Sequence, residues 1–166
     1  MQHAFNNGIF LLLGTNLGNR QENLAKAKEL LTKKAGEILS ESSIYLTKAW
    51  GNTAQPDFLN QVFKIKTSLA PEKLLEKILA IELEMGRLRT EKWGSRLIDI
   101  DILFYNDLVI QSSKLIVPHP ALHKRRFTLI PLAEIAAEFV HPVLNKSIDQ
   151  LLESCDDEQA VERIGE

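Results

Sequence analysis

The chain has 166 residues, 45% of them hydrophobic and 25% charged, with a formal net charge of −2. That composition excludes a disordered, fibrous or membrane-embedded protein, and it supplies no global basic field to draw the molecule to nucleic acid or anionic lipid. A polypeptide of this size buries roughly 70% of the surface its unfolded form exposes, so residues 1–166 are expected to form a single domain. The lone cysteine, Cys155, has no internal disulfide partner. The longest early apolar run, residues 9–13, is far shorter than the roughly 20 residues of a spanning helix, and no charged segment precedes it. The expectation is a monomer of the reducing cytoplasm, without a membrane or nucleic-acid partner.

Residues 8–14 are apolar and bounded by Gly8 and Gly14, too few for a helix and therefore a strand buried on both faces. Turn chemistry follows over 14–20, after which Leu24, Ala27, Leu30 and Leu31 recur at helical spacing until Gly36 stops them. Residues 38–45 read as a second strand that gives way to a loop rich in Gly, Asn, Gln and Pro at 50–56, and 58–67 alternates as a third. Pro71 suits the first position of a second helix, where a missing N–H costs nothing. Leu74, Ile78, Ile81 and Met85 form its apolar stripe and Gly86 its end. Residues 87–95 lack apolar period and read as an exposed loop.

Residues 97–104 alternate strictly, with Ile98, Ile100, Ile102 and Phe104 on one face and Leu97, Asp99, Asp101 and Leu103 on the other. A short strand is expected over 108–110, a third helix over 129–139, and a solvated or frayed acidic segment after Asp149. The order β-α-β-β-α-β, followed by a C-terminal strand and helices, is that of a ferredoxin-like α+β domain: an antiparallel sheet with helices packed on one face.

Asp99 and Asp101, two apart on a strand, project from the same face with Cα atoms about 7 Å apart. Such a pair is either two solvated carboxylates or the oxygen ligands of a hard cation such as Mg²⁺, which relieves their repulsion. The neighbourhood favours the second. Arg87, Arg89, Lys92 and Arg96 crowd just upstream, and His119, His123, Lys124, Arg125 and Arg126 follow downstream. Carboxylate-bound Mg²⁺ among guanidinium groups suits a polyphosphate. Neither a P-loop nor a kinase glycine-rich loop is present. On the third strand, Phe58 and Asn60 share a face, offering an aromatic plane beside an amide able to donate to and accept from a flat nitrogen heterocycle.

These residues resemble the hydroxymethyl-dihydropterin pyrophosphokinases of folate biosynthesis. Gly14-Thr-Asn-Leu17 is similar to that family's N-terminal turn, Gln55-Pro-Asp-Phe-Leu-Asn60 to its pterin-site strand, and Ile81-Glu-Leu-Glu-Met-Gly-Arg-Leu-Arg89 to its helix end. Trp93-Gly-Ser-Arg-Leu-Ile-Asp-Ile-Asp-Ile102 is similar to its metal signature, with Val117-Pro-His119 and Arg125-Arg-Phe127 further on. The resemblance implies transfer of pyrophosphate from ATP to the hydroxymethyl oxygen of a reduced pterin, with release of AMP. By it, Asp99 and Asp101 hold two Mg²⁺ ions, and Arg87 and Arg96 stabilise charge on the moving phosphates. Glu82, Arg89, Lys92, Trp93, Arg96, Ile102, Lys114, His119 and Arg125 occupy nucleotide-binding positions. Thr47, Trp50, Phe58, Asn60 and Phe127 occupy pterin positions, the two phenylalanines sandwiching the ring.

Some positions differ from the family's pattern: Phe58 stands where tyrosine is frequent, Trp50 where leucine is usual, Pro120 where tyrosine often follows the histidine, and Lys92 for an arginine, giving up a bidentate fork. Two other classes share the scaffold, an RNA-binding module and a γ-phosphate kinase. An RNA reader would carry aromatic residues where this strand carries aspartates.

Overall fold

The computed structural model describes residues 7–48, 56–86 and 97–164. Its core is a six-stranded sheet. The central strand β1 (Ile9–Thr15) lies antiparallel between β4 (Phe58–Lys66) and β5 (Asp99–Tyr105). Beyond β4 lie β2 (Glu37–Glu41) and β3 (Ile44–Thr47), both antiparallel to it. Helices α1 (Arg20–Lys34) and α2 (Pro71–Glu84) complete the expected β-α-β-β-α-β unit.

The first helix starts at Asn19, whose side chain accepts the Glu22 N–H, satisfying one of the orphan donors of a first turn. Pro71 occupies the first turn of α2 as expected, and Gly86, at φ +90°, follows its end in the left-handed region that favours glycine. One face of the sheet is dry. Ile9, Leu11 and Leu13 of β1, Phe63 and Ile65 of β4 and Ile100 and Ile102 of β5 share a core with Leu24, Ala27 and Leu31 of α1 and Leu74, Ile78 and Ile81 of α2.

The opposite face carries helices too, although the sequence pattern placed them on one face only. Helices α3 (Arg126–Ala136) and α4 (Ile148–Glu153) cover Phe10, Leu12, Val62, Leu103 and Phe104 with Leu129, Leu132 and Leu151, joined by Phe139 from the segment between them. Phe139 anchors this layer, its ring centroid 5.2 Å from that of Phe10 and 4.6 Å from that of Phe104.

Several expectations need correction in detail. The second strand is two pieces, because at Ser42 side chains take over half of the ladder with β4: the Ser42 N–H still donates to the Val62 carbonyl, but Ser42 Oγ accepts the Val62 N–H at 2.9 Å while Gln61 Nε2 donates to the Ser42 carbonyl. The alternation through 97–104 breaks at a bulge, since Leu11 pairs with Ile102 and Phe10 with Phe104, leaving Leu103 extra. Phe104 therefore joins Leu103 on the α3 side instead of Ile102 on the α2 side. The strand expected at 108–110 lies instead at β6 (Ile110–Gln111), paired with β7 (Ile116–Val117). The third helix begins and ends three residues earlier than expected. The acidic C-terminal segment is ordered structure. After α4, β8 (Val161–Ile164) adds to β3 as a further antiparallel strand.

Candidate active site

One crosswise row of the sheet carries the site. Tyr45 pairs with Asn60, Asn60 with Gly14, and Gly14 with Asp99. Paired residues point to the same face, so Asn60 and Asp99 flank Gly14 on the α3 side, about 10 Å apart across two strand spacings. Gly14 leaves room for the Asn60 amide: a Cβ here would lie 2.7 Å from Asn60 Nδ2 and push that end of the side chain aside. The Asn60 amide leans over β1 toward the Leu13 carbonyl at 3.4 Å and is 4% exposed.

On the β4 side, Phe58 pairs with Thr47 of β3 and stands half-buried. Thr47 is buried, and its Oγ1 has no hydrogen-bond partner among the described residues, which leaves a polar group there for a ligand to satisfy. Phe127 stands in the first turn of α3, half-buried, with the Arg125 guanidinium 5.5 Å from its ring centroid, within range of a cation–π contact.

On the β5 side, Asp99 and Asp101 are both half-buried while Ile98, Ile100 and Ile102 turn inward, the same-face pair the sequence predicts. The segment after β7 crosses back over them. His119 donates its backbone N–H to the carbonyl of the bulged Leu103 at 3.0 Å, and a cis Val117–Pro118 bond precedes it. Its Nδ1 accepts the Ala121 N–H, and its Nε2 lies 4.0 Å from Asp101 Oδ2. Burial, and to a lesser degree the Arg125 charge, hold the His119 imidazole below its ordinary range against the opposing pull of Asp101; the ring is therefore a neutral donor or acceptor near pH 7.

Other expected residues lie differently. Glu82 is 6% exposed, and its Oε2 accepts the Ile100 N–H at 2.7 Å. A charge in that place satisfies the outer edge of β5 between the two aspartates, which explains a carboxylate on an otherwise apolar helix stripe. Ile102 is 5% exposed, its side chain in the α2-side core. Lys114 is exposed in the β6–β7 hairpin. Trp50, Arg87, Arg89, Lys92, Trp93 and Arg96 lie outside the described residues.

The structure also adds residues that sequence reading passed over. Asn16, 1% exposed, donates from Nδ2 to the Pro56 carbonyl, and Arg20 donates to the Asp57 carbonyl at 2.7 Å, so the entry to β4 just before Phe58 is held from the β1–α1 turn. Glu134 of α3 accepts from Ser43 N, Ser43 Oγ and the Tyr45 hydroxyl at 3.0, 2.8 and 2.8 Å, tying α3 to β3. Burial works against the Glu134 charge, but those hydrogen bonds outweigh it and keep the carboxyl below its ordinary range. Burial and the neighbouring carboxylate push Tyr45 up to about 12. A polar residue on an otherwise apolar helix face was the one available signal for Glu134.

Among the described residues no three His, Cys, Asp or Glu side chains gather as a metal cluster. A pair of same-face carboxylates still fits Mg²⁺, which takes one or two protein carboxylates and completes its octahedron with water and substrate phosphate.

The sequence that builds this face matches a known family. The model of the 7,8-dihydro-6-hydroxymethylpterin-pyrophosphokinase family matches residues 10–137. The chain belongs to this family. Among its relatives, the 2-amino-4-hydroxy-6-hydroxymethyldihydropteridine pyrophosphokinase of Aquifex aeolicus is 47% identical over 142 residues, covering 86% of this chain and 88% of that one. The enzyme of the same description from Synechocystis is 43% identical over 150 residues, covering 90% and 76%. Among solved structures, a Plasmodium falciparum HPPK-DHPS crystal structure with pteroate superposes with a TM-score of 0.72 at 20% identity, covering 89% of this chain. This chain spans 42% of that longer protein, and at such identity the likeness supports the fold alone.

Proposed function

We infer that this pyrophosphokinase works through the row Asn60–Gly14–Asp99, with the pterin on the β4 side and the triphosphate on the β5 side. The reaction is transfer of the β,γ-pyrophosphoryl group of ATP to the hydroxymethyl oxygen of 6-hydroxymethyl-7,8-dihydropterin in folate synthesis. An O–Pβ bond forms, the bridge to the α-phosphorus breaks, AMP leaves and the hydroxyl proton is released. The observation that carries this division of the site is Gly14 between Asn60 and Asp99: it sets a heterocycle-reading amide and a metal-binding carboxylate about 10 Å apart on one face, with no side chain between.

Phe58 and Phe127 stack on the two faces of the pterin while Asn60 and the Thr47 backbone, with Trp50, read its edge. Asp99 and Asp101 hold two Mg²⁺ ions, which when bound neutralise triphosphate charge and lower the pKa of the attacking hydroxyl. His119 and Arg125 bind the nucleotide, with Lys114, Arg89, Lys92 and Trp93; the Ile102 side chain faces the core, so it contributes through its backbone. Glu82 fixes the Ile100 peptide and hence the spacing of the aspartates. Arg87 and Arg96 stabilise charge on the transferring group, since phosphoryl chemistry is catalysed chiefly by positioning and electrostatics. The protein acts as a monomeric single domain in the cytoplasm. Incubation with MgATP and the reduced pterin, followed by identification of the nucleotide product, tests the reading. AMP supports it, ADP indicates a γ-phosphate kinase, and no turnover favours a binding module.

A further inference from the structure

The N-terminus of α3, where Phe127 sits, has no cap of its own. Arg125 occupies the capping position and makes no side-chain cap bond, although the first turn of any helix leaves N–H groups to satisfy. The missing acceptor comes from far along the chain. Asp157 Oδ2 accepts the Arg126 N–H at 3.0 Å, while its Oδ1 accepts the Gln159 N–H at 3.0 Å. A carboxylate here is favoured twice, by the hydrogen bond and by the positive end of the helix dipole.

Gln159 carries the connection onward. Its Nε2 donates to the Lys48 carbonyl at 2.5 Å, directly after Thr47. Two residues later β8 begins, and Val161 pairs with Thr47 itself. Within a few residues, then, this segment bonds the helix turn that presents Phe127 and the strand end that presents Thr47, and Thr47 is paired with Phe58. At the other end of the same two elements, Glu134 of α3 is bonded to Tyr45 of β3 and to Ser43 just before it. Helix and strand are thus joined at both ends, and the segment from Asp157 to β8 closes the end nearest the pterin residues.

We propose that Asp157 and Gln159 are positioning residues for the pterin pocket, setting the gap between Phe127 on α3 and the Thr47–Phe58 edge of the sheet. The proposal rests on the assignment of the pterin to Phe58, Asn60 and Phe127. Neither residue touches the substrate; each acts through the backbone it holds. Stacking a flat ring between two aromatic side chains tolerates little error in their separation, and a misplacement of about 1 Å costs up to 10²-fold in a reacting site. Of the described nucleotide residues, Asp99, Asp101 and His119 hang from β5 and the segment bonded to its bulge, outside this connection, and Arg125 alone adjoins the capped turn, so the larger effect falls on the pterin.

The test is a comparison of steady-state constants for both substrates in Asp157→Ala, Asp157→Asn, Gln159→Ala and Phe127→Ala. Asp157→Ala is expected to raise KM for the pterin on the order of tenfold and to leave KM for ATP within about twofold. Asp157→Asn, which keeps one accepting oxygen, should fall between it and the parent, and Gln159→Ala should raise the pterin KM by a smaller factor. General loss of folded protein would lower kcat and leave both KM values alone, so the split between substrates separates positioning from stability. Unchanged pterin KM in both Asp157→Ala and Gln159→Ala, or an equal rise for ATP, overturns the proposal; if Asp157→Ala does not fold, Gln159→Ala decides it. Phe127→Ala separates the two levels: no rise in pterin KM there removes the pocket assignment and the proposal with it, whereas a rise there without one in the Asp157 and Gln159 variants removes the proposal alone.

Discussion

On the α2 side of β5, Ile100 and Ile102 share a dry core with Ile78 and Ile81; on the other side of the same strand, Asp99 and Asp101 stand half-buried near His119. A period of two residues separates an interior that stabilises the fold from a surface equipped for reaction. Packing on the first side is between residues close to their helix stripe and interchangeable in chemistry. On the second, beside the apolar layer under α3 and α4, the contacts that build the site join segments far apart in the chain: Gly14 to Asn60 and Asp99, His119 to Leu103, Asp157 to Arg126. The lesson is that one sheet lets the protein alter its chemistry on one face without touching the core that supports it.

That contrast can be broken on either face. Asp99→Ala or Asp101→Ala should lower kcat by about 10³-fold or more while melting stays near that of the parent, because each half-buried carboxylate serves charge stabilisation and little packing; turnover with MgATP and thermal melting measured together would check it. Ile78→Ala should do the reverse, costing about 2–5 kcal/mol of stability through the cavity left in the core, with kcat of the folded fraction unchanged, as read from denaturant unfolding and assays well below the transition.

The α3-side layer has a pH sensitivity of its own. His141 is buried beside Phe104, its Nδ1 accepting the Val143 and Leu144 N–H groups. Burial, and secondarily the nearby His123, push its pKa from an ordinary 6.5 down to about 4. Between those values the unfolded chain binds more protons than the folded one, so this contribution is fully present above pH 6.5 and is lost as pH falls toward 4. A loss of about 2–3 kcal/mol is expected. Melting temperatures across that range should fall for the parent and stay flatter for His141→Gln after allowing for its lower starting stability. The smallest effect belongs to Gly14→Ala. The added Cβ pushes on the far end of the Asn60 side chain, so the fold should persist while KM for the pterin rises about tenfold, equivalent to ~1.4 kcal/mol of lost binding.

Much of the molecule was legible before folding. The stripe Leu74, Ile78, Ile81 and the alternation around Asp99 and Asp101 are periodic signals, and periodicity follows from the local geometry of helix and strand. What misled was local as well. Phe104 continues a perfect alternation, but the bulge at Leu103 turns it to the other face. The start of α3 was placed three residues late because its cap, Asp157, lies 31 residues downstream. Glu82, an odd carboxylate on an apolar stripe, has one oxygen on the backbone of β5, a contact between helix and strand that no local pattern shows. The acidic run after Asp149 resembled a solvated end, while Val161–Ile164, with no alternation to announce it, pairs with β3 as a strand.

The sequence by itself determined the element order, the dry face of the sheet, the same-face aspartates and, through its motifs, the family. Each depends on neighbours a few residues apart, whose relation the chain's own helical or pleated geometry dictates. Tertiary structure alone decided that Gly14 stands between Asn60 and Asp99, that the C-terminal helices cover the second face, and that Asp157 and Gln159 bridge α3 and β3. Register, bulges and long-range caps are chosen by which buried polar groups find partners when distant segments meet, and no local pattern records that choice.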